Sequence, residues 1–354
     1  MSIRLAIAQD SEALCQLLEK SPMGEQIRLT FERRPDYFLG AGIQAEELLV
    51  VVGEEEKTGE IFGVFAAGTR RVFVDGEPRS IPYLSDLRLD PSHRGGTWLM
   101  RGYRHLRTEV LGTEAFAQTL ILSDNAQVRE LLTSRRGGLP FYHPCGEYRT
   151  HFLSGIRQAK GSSEHEVRQA KPEDAAMMQA FFDQEARTKQ FYPCYQFSEL
   201  GKTGYYRDLN LVNYWLAFNG GELIGILGGW NQSAFRQTRI QGYGGLVGRL
   251  RPFINLCSRV QYPPVGSQLP MRYLHTAVTR DNHPAILRSL LGRVLASEPT
   301  FTGYWVLGLD QADPLNQAVS GMRKRTFGGL HYLVSFQEKP PTHAGIYYFE
   351  AGRI

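Results

Sequence analysis

Residues 87–106 read LRLDPSHRGGTWLMRGYRHL, and in this run a cation and two glycines stand where an extended segment gives way to a helix. The extended segment ends at Asp90-Pro91, a short turn carries Arg94, Gly95 and Gly96, and a helix is expected from near Thr97. Glycines at such a junction let a ligand approach backbone that no Cβ shields. The first N–H groups of a helix lack partners inside it and suit an anion. Arg94 adds a planar guanidinium fork matched to phosphate oxygens. The chemistry that follows is binding of a phosphorylated cofactor. The plainer reading is a strand, a turn and a helix with a basic surface. Leu99, Tyr103, Leu106 and Val110 share one helical face, and Arg101, Arg104 and Arg107 lie off it.

The elements that must position this turn occur twice. Arg4, Ala6 and Asp10 recur 164 residues later as Arg168, Ala170 and Asp174, with apolar residues following at helical spacing in both places. Each copy predicts a short strand, an acidic N-cap and an amphipathic helix. Gly59-Glu60-Ile61-Phe62-Gly63-Val64 matches Gly221-Glu222-Leu223-Ile224-Gly225-Ile226, and each follows an apolar strand, so both predict a hairpin. A weaker match pairs 119–128 with 306–319. Three matches in one order imply duplication. The polar run 154–166 sets the boundary, giving expected domains 1–155 and 166–354. The second copy carries an insertion around 237–269, and Gly242–Gly248 within it reads as a mobile loop. Arg323-Lys324-Arg325 reads as a solvated helix end. Tyr192, Tyr195, Tyr205 and Tyr206 read either as core or as one wall of a pocket.

Composition bounds the rest. With 354 residues, 42% hydrophobic and 21% charged, two globular domains are the natural expectation. A net charge of +4 argues against a nucleic-acid partner. Cys15, Cys145, Cys194 and Cys257 show no metal or redox spacing, and the nine histidines show none either, so reduced thiols, no metal and a cytoplasmic location are expected. Neither a signal peptide nor an apolar run long enough to span a bilayer is present, so no membrane partner is expected. Oligomeric state is left open.

Strand, helix, hairpin, long strand ending L-x-L-D-P-x-x-R-G, helix, strand and helix-opening Asn together resemble the GNAT acyl-CoA N-acyltransferase family. The carrying residues are Leu87, Leu89, Asp90, Pro91, Arg94 and Gly95, then Ser123-Asp124-Asn125-Ala126. The resemblance implies an α/β fold, an α+β mixed sheet in tandem GNAT-like domains, with acetyl-CoA as acyl donor. It also implies a splayed strand whose backbone at Leu87, Arg88 and Leu89 pairs with the pantetheine arm. The pyrophosphate would rest on the amides of Arg94, Gly95, Gly96, Thr97, Trp98 and Leu99, with Asn125 near the cofactor. The family's turn is Arg/Gln-x-x-Gly-x-Gly/Ala, and this chain departs from it at Thr97 and Leu99. Asp86 is the expected general base toward a small-molecule or protein amine, with Tyr83 lining the pocket. Leu132 stands where the family often has a tyrosine acid, which leaves Tyr142 or Ser123 for that role. The second copy offers Arg280-Asp281-Asn282-His283-Pro284 at the same turn, without glycine, and reads as degenerate. Two other readings stay open: an aminoacyl-tRNA-dependent transferase, and a ligand-binding protein that has lost turnover.

Overall fold

A computed structural model describes residues 2–93, 97–108, 116–154, 164–257, 262–338 and 342–354. The first half runs β1 (Ser2–Leu5), α1 (Ser11–Glu19), β2 (Ile27–Glu32), α2 (Tyr37–Ala41), β3 (Glu47–Glu54), β4 (Ile61–Val74), β5 (Glu77–Leu89), α3 (Trp98–Leu106), β6 (Ala117–Leu122), α4 (Ala126–Thr133) and β7 (Phe141–Leu153). The second runs β8 (Glu166–Gln169), α5 (Ala175–Ala186), β9 (Tyr192–Pro193), β10 (Tyr214–Asn219), β11 (Glu222–Trp230), β12 (Gln237–Tyr243), α6 (Gly245–Cys257), β13 (Met271–Thr279), α7 (Pro284–Ser297), β14 (Tyr304–Asp310) and β15 (Lys324–Ser335).

The matched sequence pairs have local physical causes. Arg4 pairs with Asp10 at 2.7 Å and Arg168 with Asp174 at 2.7 Å. Each aspartate also accepts the backbone N–H three residues before it, from Ile7 and from Lys171. Each ion pair thereby clamps an edge strand to the start of its helix. Gly59 and Gly221 turn the two hairpins at φ +72° and +83°, a region open to glycine. Gly63 and Gly225 serve the helix that packs behind. A Cβ on Gly63 would come within 3.0 Å of the Trp98 ring, and one on Gly225 within 2.6 Å of Ile286.

Among the described residues the strands of both halves form one sheet, in the order β1-β3-β4-β5-β6-β15-β7-β14-β13-β11-β10-β8, with β9 attached to β4. The sheet crosses the midpoint without a break. β15 lies between β6 and β7, and β7 lies between β15 and β14. Each half therefore receives the other's last strand. A separate ribbon of β2 and β12 also ties the halves together.

Helices cover both faces. Leu14, Leu17 and Leu18 of α1 pack on Val50 and Val64 on one side. Trp98, Tyr103 and Leu106 of α3 pack on Phe62, Phe65 and Ile121 on the other. Leu287, Leu290, Leu291 and Val294 of α7 do the same for the second half. Each such side chain contributes about 1.5–3 kcal/mol on burial. The four tyrosines 192, 195, 205 and 206 are all buried in the second half's core.

Two expectations are corrected. Gly242–Gly248 is not a free loop; it spans the end of β12 and the first turn of α6. Alternation in QTRIQGY lets β12 bury every second residue against β2. Arg323-Lys324-Arg325 is not a helix end but the entry to β15, where the Lys324 ammonium donates to the Val319 carbonyl. Cys15, Cys145 and Cys194 are free thiols, and burial raises the pKa of each. Among the described residues no helix is long and apolar enough to cross a membrane.

Candidate active site

β5 and β6 run parallel and pair at one register position, Tyr83 with Gln118. The Thr119 hydroxyl still reaches the Leu84 carbonyl at 2.8 Å, and beyond that point the strands part. From Ser85 to Leu89 no strand pairs with the β6-facing edge of β5 among the described residues. An extended ligand can add to such an edge through backbone hydrogen bonds.

The opposite edge of β5 carries a bulge. Ala66 faces Ser85 and Val64 faces Arg88, so Phe65 alone spans Asp86 and Leu87. Asp86 occupies the left-handed region at φ +52°. A bulge re-aims side chains by breaking alternation. Here Tyr83, Ser85, Asp86 and Arg88 all address the α1–α2 face, while Leu84, Leu87 and Leu89 pack toward α3. Without the extra residue Arg88 would turn to the other face.

The Asp86 carboxylate is buried among partners the sequence reading did not single out. Arg33 donates to it at 2.7 Å and the Tyr37 hydroxyl at 2.9 Å. Gln44 accepts from Ser85 at 3.1 Å and from Arg33 at 3.4 Å. Burial, reinforced by the Asp86 charge, raises the Tyr37 pKa well above the usual phenol value, so Tyr37 stays a donor. Burial lowers Arg88, and Asp86 works against that shift. Burial likewise brings Arg236 down to about 10, with Arg33 adding to it. The spacing Arg33 to Tyr37 was the available signal, a cation and a phenol four residues apart beside an apolar helix.

Tyr83 lies on the Asp86 side. The Arg70 guanidinium sits 3.3 Å from its ring centroid, and Phe349 meets it edge-on at 5.4 Å. Burial raises its pKa, opposed by Arg70. Tyr142 lies on the other face, with its hydroxyl bonded to that of Tyr103 and its ring edge-on to Tyr332. The structure thus brings Asp86 and Tyr83 together and sets Tyr142 apart, behind α3.

Arg94, Gly95 and Gly96 lie outside the described residues. Thr97 is exposed and occupies the N-cap of α3, without a capping bond from its side chain. Trp98 is the first residue of α3. Its side chain is 3% exposed and reaches under the sheet, where a Cβ on Gly53 would fall 2.0 Å from the indole nitrogen. Leu99 packs partly buried against the same core. Asn125 is the N-cap of α4 at the end of β6, half-buried, and makes no capping bond with its side chain. The strand-β5 edge, the start of α3 and the start of α4 therefore share one end of the parallel pair.

The second half builds the same wedge and closes it. β13 and β14 pair from Met271 to Tyr273 and then part. A bulge again follows, with Thr276 at φ +56°. Tyr273, His275, Thr276 and Val278 stand where Tyr83, Ser85, Asp86 and Arg88 stand in β5. The chain's own segment 348–353 fills the space. The Glu350 carboxylate accepts the Thr276 N–H at 3.0 Å and the Tyr348 hydroxyl at 2.9 Å. A Cβ on Gly352 would lie 3.3 Å from that of Tyr273. At the following turn, Glu185 accepts the Asp281 N–H at 3.1 Å, and Asn282 donates to Asp313, which is itself held by buried Lys189 at 2.7 Å.

No family model and no curated protein matches the sequence. Solved structures do. Saccharomyces cerevisiae N-myristoyltransferase with bound myristoyl-CoA matches with a TM-score of 0.58 at 11% identity, over 96% of this chain and 80% of that one. A GCN5-related N-acetyltransferase from Sphaerobacter thermophilus matches with a TM-score of 0.53 at 14% identity, over 98% of this chain and 97% of that one. The fold is the mixed α/β fold of the GNAT acyltransferases. At these identities the likeness speaks for the fold.

Proposed function

We propose that this chain is an acyl-CoA-dependent N-acyltransferase that moves an acetyl group to a primary amine, with residues 1–155 carrying the site and 166–354 acting as its degenerate partner. The observation that carries this reading is the open wedge of β5 and β6 with Asp86 bulged out beside it. The pantetheine arm would pair with the backbone at Leu87, Arg88 and Leu89. The pyrophosphate would rest on the turn Arg94–Gly96 and the first amides of α3, Thr97, Trp98 and Leu99. Trp98 would contribute its backbone there, since its side chain anchors the helix. Asn125 flanks the same end.

In the reaction the amine nitrogen forms a bond to the thioester carbon and the carbon–sulfur bond breaks. Asp86 takes the proton from the ammonium, directly or through water. A backbone N–H near Leu89 faces the developing oxyanion. Tyr83, on the Asp86 side, or water protonates the departing thiolate, and Tyr142 serves to seat α3. Alignment of amine and thioester supplies most of the acceleration. Acyl-CoA as donor favours a cytoplasmic location.

The test is calorimetric titration with acetyl-CoA and with myristoyl-CoA, since one solved neighbour holds the latter. Tight binding of acetyl-CoA, weakened about tenfold or more by joint replacement of Arg94 and Gly95 with alanine, supports the site. Absence of binding, or indifference to that replacement, removes it. Thiol release across a panel of amines then reports turnover and the acceptor, and a preference for the long chain would replace acetyl by a fatty acyl group.

A further inference from the structure

The insertion in the second half presents a helix with an unusual outer face. Leu246, Phe253 and Leu256 of α6 are 69%, 65% and 84% exposed, and Leu250 joins them on the same side. Val265, 54% exposed, follows in the return segment. The inner side holds the helix in place. Asn255 bonds the Tyr262 backbone at both its N–H and its carbonyl, and Tyr243 meets Tyr262 edge-on at 5.4 Å. The exposed face is thus a fixed feature rather than a frayed end.

Its surroundings are cationic. No Asp or Glu occurs from Leu223 to Arg280. Arg249 lies exposed between Leu246 and Phe253. Arg251 stands 5.0 Å from the Tyr243 ring centroid and Arg325 3.9 Å from that of Tyr262. Elsewhere in the segment Arg239, Arg272 and Arg280 are matched by Glu32, Glu298 and Glu222. Glu25 meets the start of the helix through its carbonyl at Gly244.

We propose that α6 docks the protein on an anionic lipid surface, lying in the interface without crossing it. Leu246, Leu250, Phe253 and Leu256 enter the boundary of the acyl chains. Arg249 meets the headgroups, and Tyr243 and Tyr262, with Arg251 and Arg325 against their rings, sit behind the helix at headgroup level. A helix with Phe and Leu on its outer side and an arginine among them, whose long stem lets the charge reach the headgroups, suits an interfacial position, and tyrosines favour the same depth. Charge decides against a second copy of this chain: a two-fold contact would set each Arg249 face on its own equal. Exposed leucine and phenylalanine decide against nucleic acid, whose phosphates leave them nothing to bury against. Peripheral docking of this kind differs from the sequence expectation of no membrane partner.

Sedimentation of the full chain with phospholipid vesicles tests this independently of the acyltransferase reading. Vesicles with about a third phosphatidylserine should bind it at least tenfold more tightly than pure phosphatidylcholine, and salt should weaken the binding. Phe253→Ser with Leu256→Ser should abolish binding while melting temperature and acetyl-CoA titration stay unchanged. Arg249→Gln should weaken it about fivefold. Equal partition to both vesicles, or binding that survives the double change, overturns the proposal. So does lipid-free self-association in the ultracentrifuge that the double change removes, which would give the face to a second copy.

Discussion

The wedge of β5 and β6 and the wedge of β13 and β14 share a backbone and differ in what stands in them. Both strands bulge after a short parallel stretch, and both hold a residue other than glycine at positive φ, Asp86 and Thr276. Such a conformation costs roughly 1–3 kcal/mol. In the second wedge the chain meets that cost internally: the Glu350 carboxylate takes the Thr276 N–H, and His275, kept neutral by burial, lies against Thr276. In the first the strained residue is a carboxylate set between Arg33 and Tyr37. The same backbone device serves as a structural joint in one half and holds a buried carboxylate in the other. A carboxylate at the bulge and, among the described residues, an unpaired strand edge beside it make the difference.

The comparison can be broken by experiment. The largest effect is expected at the bulges. Asp86→Asn should lower kcat by about 10²–10⁴, whereas Thr276→Val, which keeps shape and the backbone N–H, should leave kcat within about twofold of the parent. Steady-state thiol release measures both, and equal losses would abolish the distinction between the wedges.

Next come the glycines that receive the two helices. Gly63→Ala and Gly225→Ala should each destabilise by roughly 1–3 kcal/mol through overpacking, read by denaturant melts. If just one of them did so, the wedges would not share their helix packing.

The smallest effect is a pH slope. Burial lifts the Glu350 carboxyl from 4.5 to about 6. Because the folded value is the higher, this group favours the fold most at low pH, and the benefit is lost as pH rises through about 6. The change is worth roughly 2 kcal/mol. Glu350→Gln should therefore flatten stability across that window relative to the parent. An unchanged slope would mean that the carboxylate is not sealed in the second wedge.

Much of the scaffold was legible because its causes are local. The Arg–Asp clamps at Arg4 and Arg168, the hairpin glycines and the apolar stripes of α1 and α3 each follow from residues a few positions apart. The turn at Arg94–Gly96 was legible as a motif and lies outside the described residues. The neighbours of Asp86 were not legible. Arg33 and Tyr37 precede it by about fifty positions, and a bulge that no local pattern announces turns the aspartate toward them. Trp98 was legible in part: its place after a glycine-rich turn shows in the sequence, whereas the seat of its side chain beneath the sheet depends on Gly53 and Gly63, far from it in the chain. The outer face of α6 was hidden too, since Leu and Phe at helical spacing read the same whether buried or exposed.

By itself the sequence determined the strand–helix–hairpin units of both halves and pointed to a glycine-bearing turn between β5 and α3, because periodicity, capping and turn geometry act over a few residues. Only the tertiary structure decided that β15 enters the first half's sheet and β7 borders the second's, that among the described residues one wedge is plugged and the other open, and which faces meet solvent. Strand pairing joins residues far apart in the chain, and its selectivity comes from complementary surfaces spread over many side chains, which no single stretch of sequence displays.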